Sequence, residues 1–452
     1  MNHYKFASLL VLLSLFLTIS LPSNVMAQGD TCLAPANEIV EENCLPGTPQ
    51  STWDVTGAGD SSIQGFATDL SVDQGQTIDF KIDTPSTNYE IEIYRLGYYN
   101  GDGARLVDTI APSVTLPQTQ PTCDENTTTD LVDCGNWGVS ASWTVPASAV
   151  SGIYLARPKR LDTGNQEASH IVFIVRDDDG ESDVLFQTSD TTWQAYNRYG
   201  GNSLYTGSPA GRAYAVSYNR PFTTRDYANE DWVFNSEYPM LRWLEANGFD
   251  VSYFTGVDSD RYGAEILEHN VFMSVGHDEY WSGQQRTNVE SAREAGVHLA
   301  FFSGNEVFWK TRWEASIDGS ATPYRTLISY KETRPNSNID PSSEWTGTWR
   351  DSRPINTEGT TPENALTGQI FMVNSGSTAM RIPAEDGQMR FWRDTSVATL
   401  TAGQEAILPD NTIGYEWDED LDNGFRPAGT FRLSSTTVSV PEYLQDFGYT
   451  YG

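Results

Sequence analysis

Histidine and cysteine are scarce here: five and four in a chain of 452 residues. His3 lies in the apolar N-terminus, which leaves His170, His269, His277 and His298. No H-E-x-x-H pair occurs, and His170 and His298 fall inside predicted strands, which disfavours a three-histidine zinc centre. No G-x-S-x-G elbow is present, so an α/β-hydrolase serine is excluded. All four cysteines precede residue 135, so a thiol nucleophile in the later part of the chain is excluded as well. Basic residues are also short: 28 Lys+Arg stand against 61 Asp+Glu, a net charge of −33. Nucleic-acid backbones and anionic membrane surfaces require clustered Lys and Arg, so neither is an expected partner. Aromatics are plentiful, with 13 Trp and 22 Tyr. That much apolar bulk argues for packed domains rather than a solvated coil.

Residues 1–27 read as a signal peptide. Lys5 precedes the apolar run Phe6–Leu21, Pro22 breaks it, and Val25-Met26-Ala27 supplies a small-residue cut near Ala27. No later run is long enough to span a bilayer. The chain is therefore expected to be secreted, periplasmic or extracellular. In an oxidising compartment short loop closure favours the disulfides Cys32–Cys44 and Cys123–Cys134. Their spacings do not match those of zinc knuckles.

Residues 28–60 form a Pro- and Gly-rich leader, ordered or frayed. From 61 to 177 the pattern is strand-like: Thr77–Ile82 and Tyr89–Tyr94 alternate polar and apolar, and Asn100-Gly101-Asp102-Gly103 marks a turn. An Ig-like antiparallel β-sandwich is predicted. Arg176–Glu181 is the boundary. From 178 to 452 strands first alternate with helices. Val184–Thr188, Phe249–Phe254, Val271–Val275 and Val297–Phe302 are the strands; a helix starting after Ser236 and another over 282–295 are the clearest connectors. This predicts a parallel sheet covered by helices on both faces, followed by a β-rich C-terminal extension. A polar loop is expected over 332–362, a solvated acidic turn over 418–424, and a final strand over 443–452. Sites in such sheets form beyond the carboxyl ends of strands. Gly276-His277-Asp278-Glu279-Tyr280-Trp281 and Ser303-Gly304-Asn305-Glu306 occupy two such ends. On spacing alone they also fit ordinary strand-to-helix loops with acids capping helix N-termini.

These two motifs, with Tyr94–Tyr99 and Gln187–Asn197, resemble the large (beta) subunit of N,N-dimethylformamidase and its relatives over most of the chain after Ile63. The resemblance implies a three-layer α/β domain related to class I glutamine amidotransferases but without the thiol, in agreement with the cysteine positions. It also implies hydrolysis of small amides or other C–N bonds at a mononuclear iron (Fe3+) held by two tyrosines and one glutamate. Carried onto this chain, the ligands are Tyr196, Tyr238 and Glu279; His277 and Asn305 line the pocket, and Glu416 is a further acid. A hard trivalent cation suits phenolate and carboxylate oxygen. Read without the resemblance, Tyr196 and Tyr238 are packed core tyrosines. The expected partner is a small-molecule substrate, with a small subunit or homo-oligomer left open. Relatives continue past Gly452, so a truncated C-terminus is expected. Two other readings stand: a carbohydrate-active hydrolase pairing Glu279 with Glu416, and a non-catalytic binder of a surface polymer.

Overall fold

The computed structural model describes residues 32–451. The proposed signal peptide lies outside the described residues. From residue 32 onward the leader is ordered rather than frayed. Two short helices, Glu38–Asn43 and Gln50–Trp53, bury Ile39 and Trp53 completely, and the bonds Cys32–Cys44 and Cys123–Cys134 form as predicted. Among the described residues no helix is long and apolar enough to cross a membrane.

Ten strands lead to Arg176: β1 (Gln64–Ala67), β2 (Ser71–Asp73), β3 (Thr77–Asp83), β4 (Tyr89–Leu96), β5 (Ala104–Ile110), β6 (Asp124–Asn126), β7 (Leu131–Asp133), β8 (Ala141–Thr144), β9 (Gly152–Arg160) and β10 (Ile171–Arg176). Two sheets, ordered β1-β3-β8 and β2-β10-β9-β4-β5, enclose a core built on Phe80, Ile91, Trp143 and Phe173. The expectation of a wholly antiparallel sandwich needs one correction. Strand β2 runs parallel to β10, because Ser71–Asp73 belong to a separate short segment that docks on the free edge of β10. The run Ile171–Val175 is apolar throughout because both of its faces are covered. Ile171, Phe173 and Val175 enter the sandwich core, while Val172 and Ile174 enter the core shared with the next domain.

The second region holds β11 (Val184–Thr188), β12 (Ala215–Ser217), β13 (Val251–Phe254), β14 (Val271–Val275), β15 (Tyr280–Ser282), β16 (His298–Phe302), β17 (Trp309–Glu314) and β18 (Thr326–Ile328). Strands β13-β11-β14-β16 form one parallel sheet. Helix Glu237–Ala246 buries Leu241 and Leu244 on one face, and helix Gly283–Ala295 buries Val289 and Ala292 on the other. Ser282 caps the latter through a capping box, and Gly296 ends it at φ 108°. Sequence reasoning treated Gly276–Trp281 as pure loop. In fact Tyr280–Ser282 pairs in parallel with Trp309–Thr311, within a second sheet ordered β12-β18-β17-β15. The last part contains β19 (Ile370–Thr378), β20 (Arg381–Pro383), β21 (Glu405–Ile407) and β22 (Ile413–Glu419), paired β19–β22 and β20–β21. Residues 443–451 are not the predicted strand. They fold back on the core: Leu444 is 1% exposed, its N–H donates to Met372 O, and Thr348 Oγ1 donates to Phe447 O.

Sandwich, leader and α/β region are locked by a dry polar knot. Arg95 donates to both oxygens of Glu245, at 2.8 and 3.0 Å, and to Ser151 O. Asn43 of the leader and Tyr253 of β13 complete the Glu245 carboxylate at 2.7 and 2.9 Å. Every charge is matched and hydrogen-bonded, the condition under which burying an ion pair is tolerated.

His170 ties the leader to the sandwich by donating from Nε2 to Trp53 O at 2.7 Å. Burial holds its imidazole down to about 4, against the opposing pulls of Trp53 O and Asp54. A free histidine titrates near 6.5. The depressed folded value means that stability is complete above about 6.5 and is lost as pH falls toward 4, by on the order of 3 kcal/mol for this group. His170→Gln keeps a donor but does not titrate. Urea midpoints between pH 7 and pH 4.5 should therefore fall less steeply for the variant than for the wild type, and parallel slopes would contradict the assignment.

Candidate active site

Glu279 lies four residues beyond β14 and is 3% exposed. Its backbone is clamped to the next strand end. Val307 N–H donates to Asp278 O, and Phe308 and Trp309 N–H donate to Glu279 O at 3.0 and 2.9 Å. The two motifs singled out from the sequence are thus one unit. The clamp forces Asn305 and Val307 to φ 56° and 57°, a region costly for a β-branched residue and concentrated at functional sites.

Two phenols meet the Glu279 carboxylate and a third stands behind them. Tyr205 OH donates to both oxygens, at 2.9 and 2.8 Å, and Tyr196 OH lies 3.5 Å from Oε2. The Tyr196 and Tyr205 rings stack at 4.2 Å. Tyr280 OH donates to Tyr205 OH at 2.6 Å, and Lys331 Nζ donates to Tyr280 OH at 2.7 Å. Lys331 also sits 3.6 Å from the Tyr205 ring centroid. A hydrogen-bonded file therefore runs from Lys331 through two phenols to Glu279. Burial first, then the Glu279 charge, raises Tyr196, Tyr205 and Tyr280 well above the ordinary phenol range. Burial pushes Glu279 upward, but His277 and Lys331 beside it bring it net below the usual carboxylate value. Burial lowers Lys331 well below the ordinary ammonium value, and Arg334 adds to this.

The opposite wall is His277, Glu416 and Asn305. His277 Nε2 lies 2.8 Å from Glu416 Oε2 and 3.5 Å from Glu279 Oε2, while Nδ1 donates to Gly304 O at 3.2 Å. Burial opposes its charge, but Glu416 and Glu279 outweigh it and hold the imidazole well above its ordinary value. Asn305 Nδ2 donates to Glu416 Oε2 at 2.9 Å, and Asn305 N–H donates to Asp418 at 2.8 Å. Asp418 therefore turns inward, contrary to the predicted solvated acidic turn; Asp420 and Asp422 do stay outside, paired with Arg426. Glu416 reaches the site because β22 crosses directly over Gly304: a Cβ there would sit 2.3 Å from Glu416 O. Gly276 is required for a different reason. Its φ is 93°, and a Cβ would strike Glu237 and Ser189.

A cavity of about 420 Å³ opens onto Tyr196, Tyr205, Glu279, Asn305 and Glu416. Five of the six sequence-predicted site residues thus meet here: Tyr196, Glu279, His277, Asn305 and Glu416. Tyr238 does not join them. It packs edge-on against Trp53 and Phe234 and beneath Arg242, in a separate core. Glu237, its neighbour on the helix, takes the inward direction, accepting from Ser189 and from Trp193 Nε1. One helical step turns Tyr238 about 100° away. The second phenol on Glu279 is Tyr205, which sequence reasoning missed. Leu204 N–H donates to Ala195 O at 2.9 Å, and this places Tyr205 beside Tyr196. Ser203-Leu204-Tyr205, following the Gly200-Gly201 turn, was the available signal. Among the described residues no group of three or more His, Cys, Asp or Glu is spaced to hold a metal ion. The donors that meet Glu279 are phenols.

A family model that matches most of the chain decides the kinship. This chain belongs to the N,N-dimethylformamidase beta subunit-like family. The model of that family's C-terminal region matches residues 90–450. No curated protein matches the chain. The matched stretch includes every residue that lines the cavity except Tyr451, and most of the sandwich; the leader helices precede it.

In this family member Gly304→Ala should push β22 off the Ser303–Asn305 turn. We expect a loss of about 1–3 kcal/mol, as for other overpacked sites, read from denaturant midpoints. A variant as stable as wild type would show that β22 is not seated there.

Proposed function

We propose that this chain is an exported, metal-dependent hydrolase of amide or other C–N bonds in a small molecule. One observation carries the reading: Tyr196, Tyr205 and Glu279 converge at a cavity whose other wall presents Asn305 and Glu416, with His277 set between Glu416 and Glu279. Export is supported by the signal-like N-terminus and by two disulfides, which persist in oxidising compartments.

The residues fit the iron that the family resemblance implies, with Tyr205 replacing Tyr238 in the expected set. Two phenols and a carboxylate are a hard, all-oxygen donor set suited to a trivalent cation. Phenols this buried stay protonated unless positive charge is supplied beside them. A cation seated against Glu279 would supply it, and Lys331 Nζ lies below the Tyr205 and Tyr280 rings. A bound iron ion would contribute Lewis acidity toward a carbonyl oxygen and toward water.

The remaining chemistry falls to the chain's own groups. His277, charged between Glu416 and Glu279, is placed to hold a proton at Nε2 and pass it to a departing amine. Glu416 orients that imidazole and, through Asn305 Nδ2, the amide beside it. The second Nδ2 hydrogen of Asn305 can donate to oxygen as charge develops on it. Every group invoked belongs to one chain. The glycosidase reading fits less well, because paired carboxylates must flank a sugar, whereas Glu279 and Glu416 flank His277.

Purified mature protein should carry about one iron per chain and show a visible phenolate-to-iron band. Tyr196→Phe or Tyr205→Phe should abolish the band, and Tyr238→Phe should keep it. A colourless, iron-free, correctly folded protein would overturn the proposal, as would a band that depends on Tyr238.

A further inference from the structure

The cavity is strongly graded in charge. Its floor is acidic, with Glu279 and Glu416. Its rim carries Arg334, exposed to solvent and pointing its guanidinium at no acid: among the described residues Arg334 makes no ion pair and no side-chain hydrogen bond. This is unusual in a chain of net charge −33. Other arginines nearby are all engaged, Arg312 with Asp340, Arg350 with Glu363 and Arg353 with Asp351. Arg334 is nevertheless held in place, since its guanidinium lies over the Trp309 ring at 5.5 Å. Stacking of this kind leaves the edge of the planar fork free to grip a carboxylate with two hydrogen bonds.

The rest of the rim is aromatic. Tyr449 and Tyr451 come from the C-terminal segment, which is fastened by Thr348 Oγ1 to Phe447 O at 2.5 Å and by Leu444 N–H to Met372 O at 2.8 Å. The volume, about 420 Å³, falls within the roughly 300–1,000 Å³ that accommodates ligands of drug-like size. A two- or three-carbon amide would leave most of it unfilled.

We infer that the substrate carries a carboxylate beside its scissile amide, together with an aromatic or apolar side group, and that Arg334 docks the carboxylate at the cavity mouth. This rests on the amide-hydrolase reading above. The acidic floor repels the carboxylate and Arg334 attracts it, so the substrate enters in one orientation with its amide toward Glu279, His277 and Asn305. The tyrosines of the C-terminal segment cover the side group. Arg334 is thus a specificity-determining residue; it does not touch the reacting atoms.

The test uses the full mature chain as purified and two probes of matched shape, N-formylphenylalanine and N-formyl-2-phenylethylamine, which lacks the carboxylate. In calorimetric titration the acid should bind about tenfold or more tighter than the neutral probe. Arg334→Gln should bring the two within about twofold, and Arg334→Lys should retain part of the preference because the charge remains but the fork is lost. Among the described residues Arg334 makes no ion pair or side-chain hydrogen bond and has only its contact with the Trp309 ring to lose, so both variants should melt close to the wild type. Equal binding of both probes by the wild type, binding of neither, or a preference that survives Arg334→Gln would overturn the inference. Formate release is scored separately. An acid that binds by this rule but is never cleaved would overturn the amide-hydrolase reading while leaving the docking role of Arg334 intact.

Discussion

A carboxylate stripped of water must be surrounded by groups that replace its solvent, and Glu279 organises the site through that demand. Two phenols, an imidazole and, through Tyr280, the buried amine of Lys331 are drawn to it. Around them stands a second ring of acids with few cations. Burial pushes Asp231 and Asp418 up to about 7 and Asp278 up to about 8. Burial raises Glu306 well above the ordinary carboxylate range, and Asp278 and Asp418 add to this. These outer acids tend to hold protons while Glu279 stays charged. Glu279 is thus a charged carboxylate that faces two phenols, which is the arrangement a hard cation would complete.

The scaffold brings this about from distant parts of the chain. Glu279 and Asn305 come from adjacent strand ends, Tyr196 from the helix after β11, and Glu416 from a ribbon more than a hundred residues later. The ribbon closes on the site only because Gly304 lets β22 pass at van der Waals distance. The knot of Arg95, Glu245, Asn43 and Tyr253 fixes the sandwich and leader against the sheet that carries these residues. Removing one partner from such a pair costs about 3–5 kcal/mol, since it strands a buried charge.

Much of this was legible in the sequence. Alternating apolar and polar positions marked the sandwich strands, and short apolar runs bounded by helices marked the parallel ones. The rule that sites lie beyond strand ends pointed to the segments 276–281 and 303–306, and the family resemblance picked out His277, Glu279 and Asn305 within them. Short loop closure was enough for both disulfides. What escaped depended on tertiary geometry. Tyr205 is brought to Tyr196 by a single backbone bond from Leu204 to Ala195, which no periodicity records. Tyr238 was misplaced because Glu237 occupies the inward direction of the same helical turn. Lys331 and Arg334 border a stretch that reads as a polar loop, yet one is fully buried beneath the site and the other stands at its mouth. The C-terminal residues, with their alternating Tyr, resembled a strand; they fold into a lining because Leu444 and Phe447 find partners in the core.

The central claim is that Tyr196, Tyr205 and Glu279 together form a metal centre. An anomalous-difference map from crystals of the purified protein, collected on both sides of the iron edge, tests it most directly. The account predicts one iron peak within bonding distance of Tyr196 Oη, Tyr205 Oη and the Glu279 carboxylate. An iron peak beside Tyr238, or a well-ordered cluster that still shows only hydrogen bonds between phenols and carboxylate after growth in ferric iron, would contradict it.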